Sequence, residues 1–159
     1  MLAVNLRHVE THEIHLEGEL SVEDLDFGLD DEMIRAEQPL RYDLTVQKLG
    51  HALLAQGRLQ VTLNCQCVRC LTPFERPVAL PHWTLLLPLA GDERPAVHDD
   101  CVDLTPFVRE DMLLEFPAHP LCRPGCAGLK AITTAAARTA GERERFKSSA
   151  WAELDKLKL

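Results

Sequence analysis

Two close cysteine pairs carry the chemistry open to this chain: Cys67-Val-Arg-Cys70 and, about fifty residues later, Cys122-Arg-Pro-Gly-Cys126. Each spacing lets two thiolates converge on one ion, and zinc in a structural role takes four such ligands in a closed tetrahedron. The first pair follows an alternating, strand-like run, and the second sits on a turn made by Pro124 and Gly125. One zinc ion held by all four would tie the middle of the chain to a distant segment. Two other readings compete. Cys67 and Cys70 could cycle between dithiol and disulfide, although that chemistry usually sits at a helix start within a βαβ unit, and here Thr72-Pro73 follows. The pairs could also be buried thiols that only pack.

Other residue types that bear chemistry are less well placed. Cys65 shares a strand face with Cys67 and stays open as a ligand, but a site filled by four thiolates has no room for a fifth. Cys101 lies beside Asp99, Asp100 and Asp103, whose charges raise rather than lower a thiol pKa, so it reads as a packing residue. His8, His12 and His15 cluster without a motif partner and read as exposed. His119, three residues before Cys122, is the histidine placed to substitute as a ligand. Arg69, Arg76 and Arg123 either form a basic patch around the cysteines or are scattered solvated side chains. There is no phosphate loop, nucleophile elbow or H-E-x-x-H, so the sequence gives no support for an enzyme.

The elements that must position the cysteines read mainly as strands. Leu2, Val4 and Leu6 alternate, as do Ile14, Leu16, Gly18 and Leu20, then Leu40, Tyr42, Leu44 and Val46. Glu23 to Glu32 reads as an acidic loop. After Gly50 a long strand runs to Cys65, with a bend or bulge expected near Gly57. Phe74 to Leu89 reads as one or two strands interrupted by Pro77 and Pro81, and Ala90 to Asp100 as an exposed loop. Thr105-Pro106 reads as an N-cap and first helical residue, and Leu104, Val108, Met112 and Phe116 recur every four residues along one helical face that Pro117 ends. The expected fold is α+β: an antiparallel domain of five or six strands over residues 1–129, with one packed helix. Residues 130–159 are expected to be a mobile linker followed by a short helix bearing Trp151, Leu154 and Leu157.

Charge narrows the partners. The formal charge of −8 is unevenly spread, because residues 1–40 hold two basic and eleven acidic side chains and the rest sums to +1. Bulk charge therefore argues against unselective phosphate binding, and the acidic end would attract a basic partner. No secretory leader opens the chain and no run of eighteen apolar residues occurs, so a cytoplasmic location and metal-bound rather than disulfide cysteines are expected.

Taken together, Cys67-Val-Arg-Cys70-Leu71, Pro73-Phe74, Val102-Asp103-Leu104, Arg109-Glu110, Phe116-Pro117, Pro120-Leu121-Cys122 and Cys126-Ala-Gly-Leu129 resemble the YceD-type family of large ribosomal RNA subunit accumulation proteins. Trp151-Ala-Glu-Leu154 with Leu157 looks like the closing helix of that family, so the resemblance runs from about Leu40 to Leu159. Members commonly carry further cysteines after the Gly-Leu step. Lys130-Ala131 stands there instead, which limits the ligand set to Cys67, Cys70, Cys122 and Cys126. The resemblance implies a non-enzymatic factor in large-subunit biogenesis that binds rRNA or a basic large-subunit ribosomal protein. A zinc-dependent redox or regulatory module using Cys67 and Cys70 is the alternative.

Overall fold

In the computed structural model, which describes residues 1–29, 31–92 and 94–129, every strand pairing is antiparallel. The linker and terminal helix expected over 130–159 lie outside the described residues. The larger sheet is built on β5 (Ala52–Gln66), a strand long enough to serve several partners. β4 (Leu40–Leu49) pairs with its first half and the short β3 (Ile34–Ala36) with its second half, while β6 (Pro73–Pro88) runs along the opposite edge. β2 (Ile14–Leu20) extends the sheet beyond β4, where Leu16 faces Leu44 and Leu20 faces Leu40. A second sheet joins β1 (Ala3–Asn5), β8 (Cys101–Asp103) and β7 (Val97–His98) in the order β1-β8-β7.

The strand period of two decides which side chains are buried. Leu40, Leu44 and Val46 of β4 and Leu53, Ala55, Leu59, Val61, Leu63 and Cys65 of β5 all face inward. The bend expected near Gly57 is a bulge between β5 and β6. Gly57 faces Trp83 but Leu59 faces Leu80, so Pro81 and His82 together oppose Arg58. The extra residue changes parity, which keeps Trp83, Leu85 and Leu87 on the face already set by Val78 and Leu80. Gly57 itself is demanded by close approach: at φ +154°, an added Cβ would collide with the Asp43 carbonyl oxygen and Leu44 Cα.

Several expectations need correction. Prolines 77 and 81 do not interrupt β6, because it pairs only with β5, and a proline that turns its nitrogen to the free edge forfeits no ladder bond. The acidic segment 23–32 is not all loop. Val22–Leu25 form one helical turn, α1, in which the Ser21 hydroxyl accepts from the Asp24 amide at 3.1 Å and Leu25 is buried. There are thus two helices and eight strands among the described residues, the additional strands being the short β3, β7 and β8. The exposed loop expected over 90–100 contains β7, which forms a hairpin with β8 through Asp99 and Asp100, both at positive φ.

The main helix, α2 (Thr105–Leu114), begins with Leu104 rather than Thr105 at the cap position. The Thr105 hydroxyl accepts from the Leu2 amide at 2.7 Å instead, and the Asp103 carboxylate accepts from the Thr105 amide. The helix start is thereby fastened to β1. Leu104, Val108 and Met112 are fully buried and join Val4, Val102, Leu44, Leu59 and Leu63 in one core.

Candidate metal centre

β5 ends at Gln66 and delivers Cys67 into the turn that leads to β6. The Leu71 amide donates to the Cys67 carbonyl at 2.8 Å, and the Cys67 amide to the Thr72 carbonyl at 3.0 Å. Leu71 closes the turn at φ +59°. The second pair is brought in by α2, whose placement depends on its buried face and on Trp83 of β6. That indole donates to the Asp111 carboxylate at 2.6 Å. After the helix, the Val68 amide donates to the Pro120 carbonyl at 3.0 Å. Then Cys126 donates back to the Arg123 carbonyl at 3.1 Å and forms the second turn.

These turns bring Cys67, Cys70, Cys122 and Cys126 together with all four Sγ atoms within 4.8 Å of one another. The Cys67–Cys126 and Cys70–Cys122 separations are both 3.7 Å. A Zn–S bond of about 2.3 Å gives a tetrahedral edge of about 3.8 Å, so the cluster has the dimensions of a tetrathiolate site. A disulfide needs about 2.05 Å, and all four cysteines are free. Backbone amides of Cys122, Cys70 and Arg69 aim at Cys67 Sγ and lower its pKa, the Cys122 amide contributing most. Cys70 is also lowered, chiefly by the Thr72 hydroxyl at 3.3 Å. Burial raises Cys122, and the neighbouring sulfurs add to the rise. Four thiolates within 4.8 Å of one another would repel. A divalent cation, soft enough for sulfur, would offset that repulsion.

The remaining candidates fall into place around this centre. Cys65 lies outside the cluster: it is buried between Ile34 and Phe74 in the sheet, and burial raises its pKa. His119 is exposed and not in the cluster, and Cys101 lies on β8 in the other sheet. Arg69, Arg76 and Arg123 are all exposed. Arg69 has a second role that its position between two cysteines did not suggest. Its guanidinium donates to the Cys126 carbonyl at 3.1 Å and its own carbonyl accepts from Leu129 at 3.1 Å, so it fastens one turn to the other. Thr72 was likewise missed, because a hydroxyl next to proline reads as an ordinary strand start.

The fold and site define a mainly antiparallel β domain whose two cysteine pairs meet, across a hairpin and a helix-borne turn, at distances compatible with a metal site. Residues 55–158 match the family model described as "Large ribosomal RNA subunit accumulation protein YceD", and the chain belongs to that family. The matched span contains all four cysteines. An uncharacterized protein of Mycobacterium leprae is 29% identical over 110 residues, which covers 64% of this chain and 51% of the relative. An uncharacterized protein of Mycobacterium tuberculosis (strain H37Rv) is 31% identical over 98 residues, covering 57% and 47%. The chain thus spans about half the length of these curated relatives. No solved structure matches it. No helix among the described residues is long and apolar enough to cross a membrane.

Proposed function

We propose that this protein is a non-enzymatic, cytoplasmic factor that supports accumulation of large-subunit rRNA, and that its four cysteines hold one structural zinc ion. The observation that carries this reading is the coincidence of the cysteine tetrad with the segment matched by the family. The ion would supply no reaction, only a fixed junction between the β5–β6 turn and the segment after α2. Neither Cys67–Leu71 nor Leu121–Leu129 contains an acidic side chain, although the chain as a whole carries −8. Arg69 and Arg123 are exposed on stretches of chain that carry no acidic side chain of their own, and this supports contact with phosphate. A basic large-subunit ribosomal protein is the second reading, favoured by the excess of nine negative charges in residues 1–40. The redox alternative draws less support, because Cys67 and Cys70 each stand 3.7 Å from a sulfur of the other pair, so the four form one cluster rather than an isolated dithiol.

Sedimentation of a native lysate tests the proposal. Co-migration with large-subunit precursors, lost at high salt, is expected. Confinement to the top of the gradient at every salt concentration refutes a role on the particle. Charge reversal at Arg69 and Arg123 separates the two partners, since it abolishes RNA binding only under the first reading. Arg69 also bridges the turns, so Arg123→Glu alone serves as the variant that leaves the fold intact.

A further inference from the structure

Away from the cysteines, the segment from α1 to β3 encloses an open groove of about 650 Å³. Phe27, Leu29 and Ile34 supply apolar lining, with the Phe27 ring tilted at 56° to that of Phe116, beyond α2, at a centroid distance of 5.1 Å. Asp26, Asp31, Glu32 and Glu37 also line it, against Arg35 as the single cation of the lining among the described residues. None of these four carboxylates forms a salt bridge among the described residues.

One wall of the groove is β3, and β3 has a free edge. The Gln66 amide donates to the Met33 carbonyl at 2.8 Å, which fixes Met33 and Gln66 as a hydrogen-bonded pair. Antiparallel pairs alternate, so Arg35 with Asn64 is the next such pair, and Ile34 and Ala36 turn their backbone groups away from β5. The Ile34 amide reaches back to the Asp31 carbonyl at 3.4 Å. The Ile34 carbonyl and both backbone groups of Ala36 point outward, and no other strand pairs with β3. An unpaired strand edge beside an apolar floor is the arrangement to which extended peptides add as an extra strand.

We propose that this groove binds an extended basic segment of a protein partner by strand addition to β3. Apolar side chains at alternate positions would lie against Phe27, Leu29 and Ile34, and the intervening lysines or arginines would meet the carboxylates. Backbone bonds to Ile34 and Ala36 would set the register. The charge of the lining selects the occupant: four carboxylates against one arginine disfavour RNA and acidic peptides alike. As a statement about a ribosomal protein this rests on the second reading above, whereas as a statement about peptide chemistry it does not.

The test uses the full chain with its metal content verified, titrated with a short blocked peptide that alternates lysine and valine. Binding is read by fluorescence anisotropy and by amide shifts of Ile34–Glu37. The expected result is saturable binding with shifts confined to this segment, and none with the counterpart alternating glutamate and valine. Ala36→Pro removes an outward amide without touching a β5 bond, and should weaken binding about tenfold at unchanged melting temperature. Glu32→Gln with Glu37→Gln should weaken it similarly and reduce its salt dependence. Equal binding by wild type and a folded Ala36→Pro would overturn strand addition, and shifts elsewhere would overturn the site. Binding of a single-stranded RNA oligonucleotide in the groove would also overturn it. These results are independent of the gradient experiment, so failure of the groove and failure of the biogenesis role are distinguishable.

Discussion

Removing the metal should release one segment and leave the sheet standing. Residues 117–129 are tied to the β5–β6 turn by three hydrogen bonds, Val68 to Pro120, Leu129 to Arg69, and Arg69 to Cys126. At about 1 kcal/mol each these contribute about 3 kcal/mol. Burial of Pro120 and Cys126 adds about 3 kcal/mol. Ordering some thirteen residues costs on the order of 13 kcal/mol. The protein contacts therefore fall about 7 kcal/mol short, and the structural zinc ion proposed above, at roughly 10 kcal/mol, would close the gap. The core of Leu44, Leu59 and Leu63 makes no use of the site and should persist. The assay is amide hydrogen exchange before and after chelation, and in Cys126→Ser. Protection at Val68, Cys126 and Leu129 should fall by at least about a hundredfold, while amides of β4 and of the first half of β5 change little. Unchanged protection at those three amides, with metal loss verified by elemental analysis, would refute the reasoning. Global unfolding would refute its local form.

Three further outcomes follow from the packing. Gly57→Ala should destabilise by about 3–5 kcal/mol in urea, because the atoms its methyl would strike, Asp43 O and Leu44 Cα, are backbone within a paired strand. A loss under about 1 kcal/mol would mean that the bulge relaxes. Trp83→Phe should cost about 1–3 kcal/mol by leaving the part-buried Asp111 carboxylate without its donor, and adding Asp111→Asn should recover part of that loss; strict additivity of the two changes would argue against the bond. His15 lies 2.6 Å from Asp43, and this hydrogen bond raises its pKa above 6.5. A raised folded pKa gives a contribution that is complete below 6.5 and fades as pH climbs through the raised value. His15→Gln should therefore flatten the decline in stability above pH 6.5 while leaving the acid side alone, as read from denaturant midpoints across that window, and an identical pH profile in the variant would remove the His15–Asp43 linkage.

How much of this was legible depends on whether a signal is repeated. β2, β4 and β5 each repeat an alternation long enough to be read, and the 104–108–112 spacing identified α2. Strands of two or three residues carry no period, so β3, β7 and β8 were invisible as strands although Val102 is fully buried. α1 is one turn held by a serine cap and one buried leucine, too little to stand out in an acidic run. Proline misled at β6 because its cost depends on which edge its nitrogen faces, and that is settled only by the neighbouring strand.

The cysteine site shows the same division more sharply. Spacing within each pair is local, so Cys67 with Cys70 and Cys122 with Cys126 could be recognised as chelating turns from the chain alone. Their meeting is not local. It requires β5 to carry Cys67 to its far end, β6 to return with Trp83 inward after the bulge, and Asp111 to accept from that indole so that α2 lies where its exit reaches the β5–β6 turn. Arg69 then has something to bind, the Cys126 carbonyl, that exists only once the two turns are adjacent. The bulge beside Gly57 thus bears on where sulfur atoms more than sixty residues away can lie. It follows that the lesion of Gly57→Ala, where it permits folding at all, should appear at the metal centre as well as in the sheet.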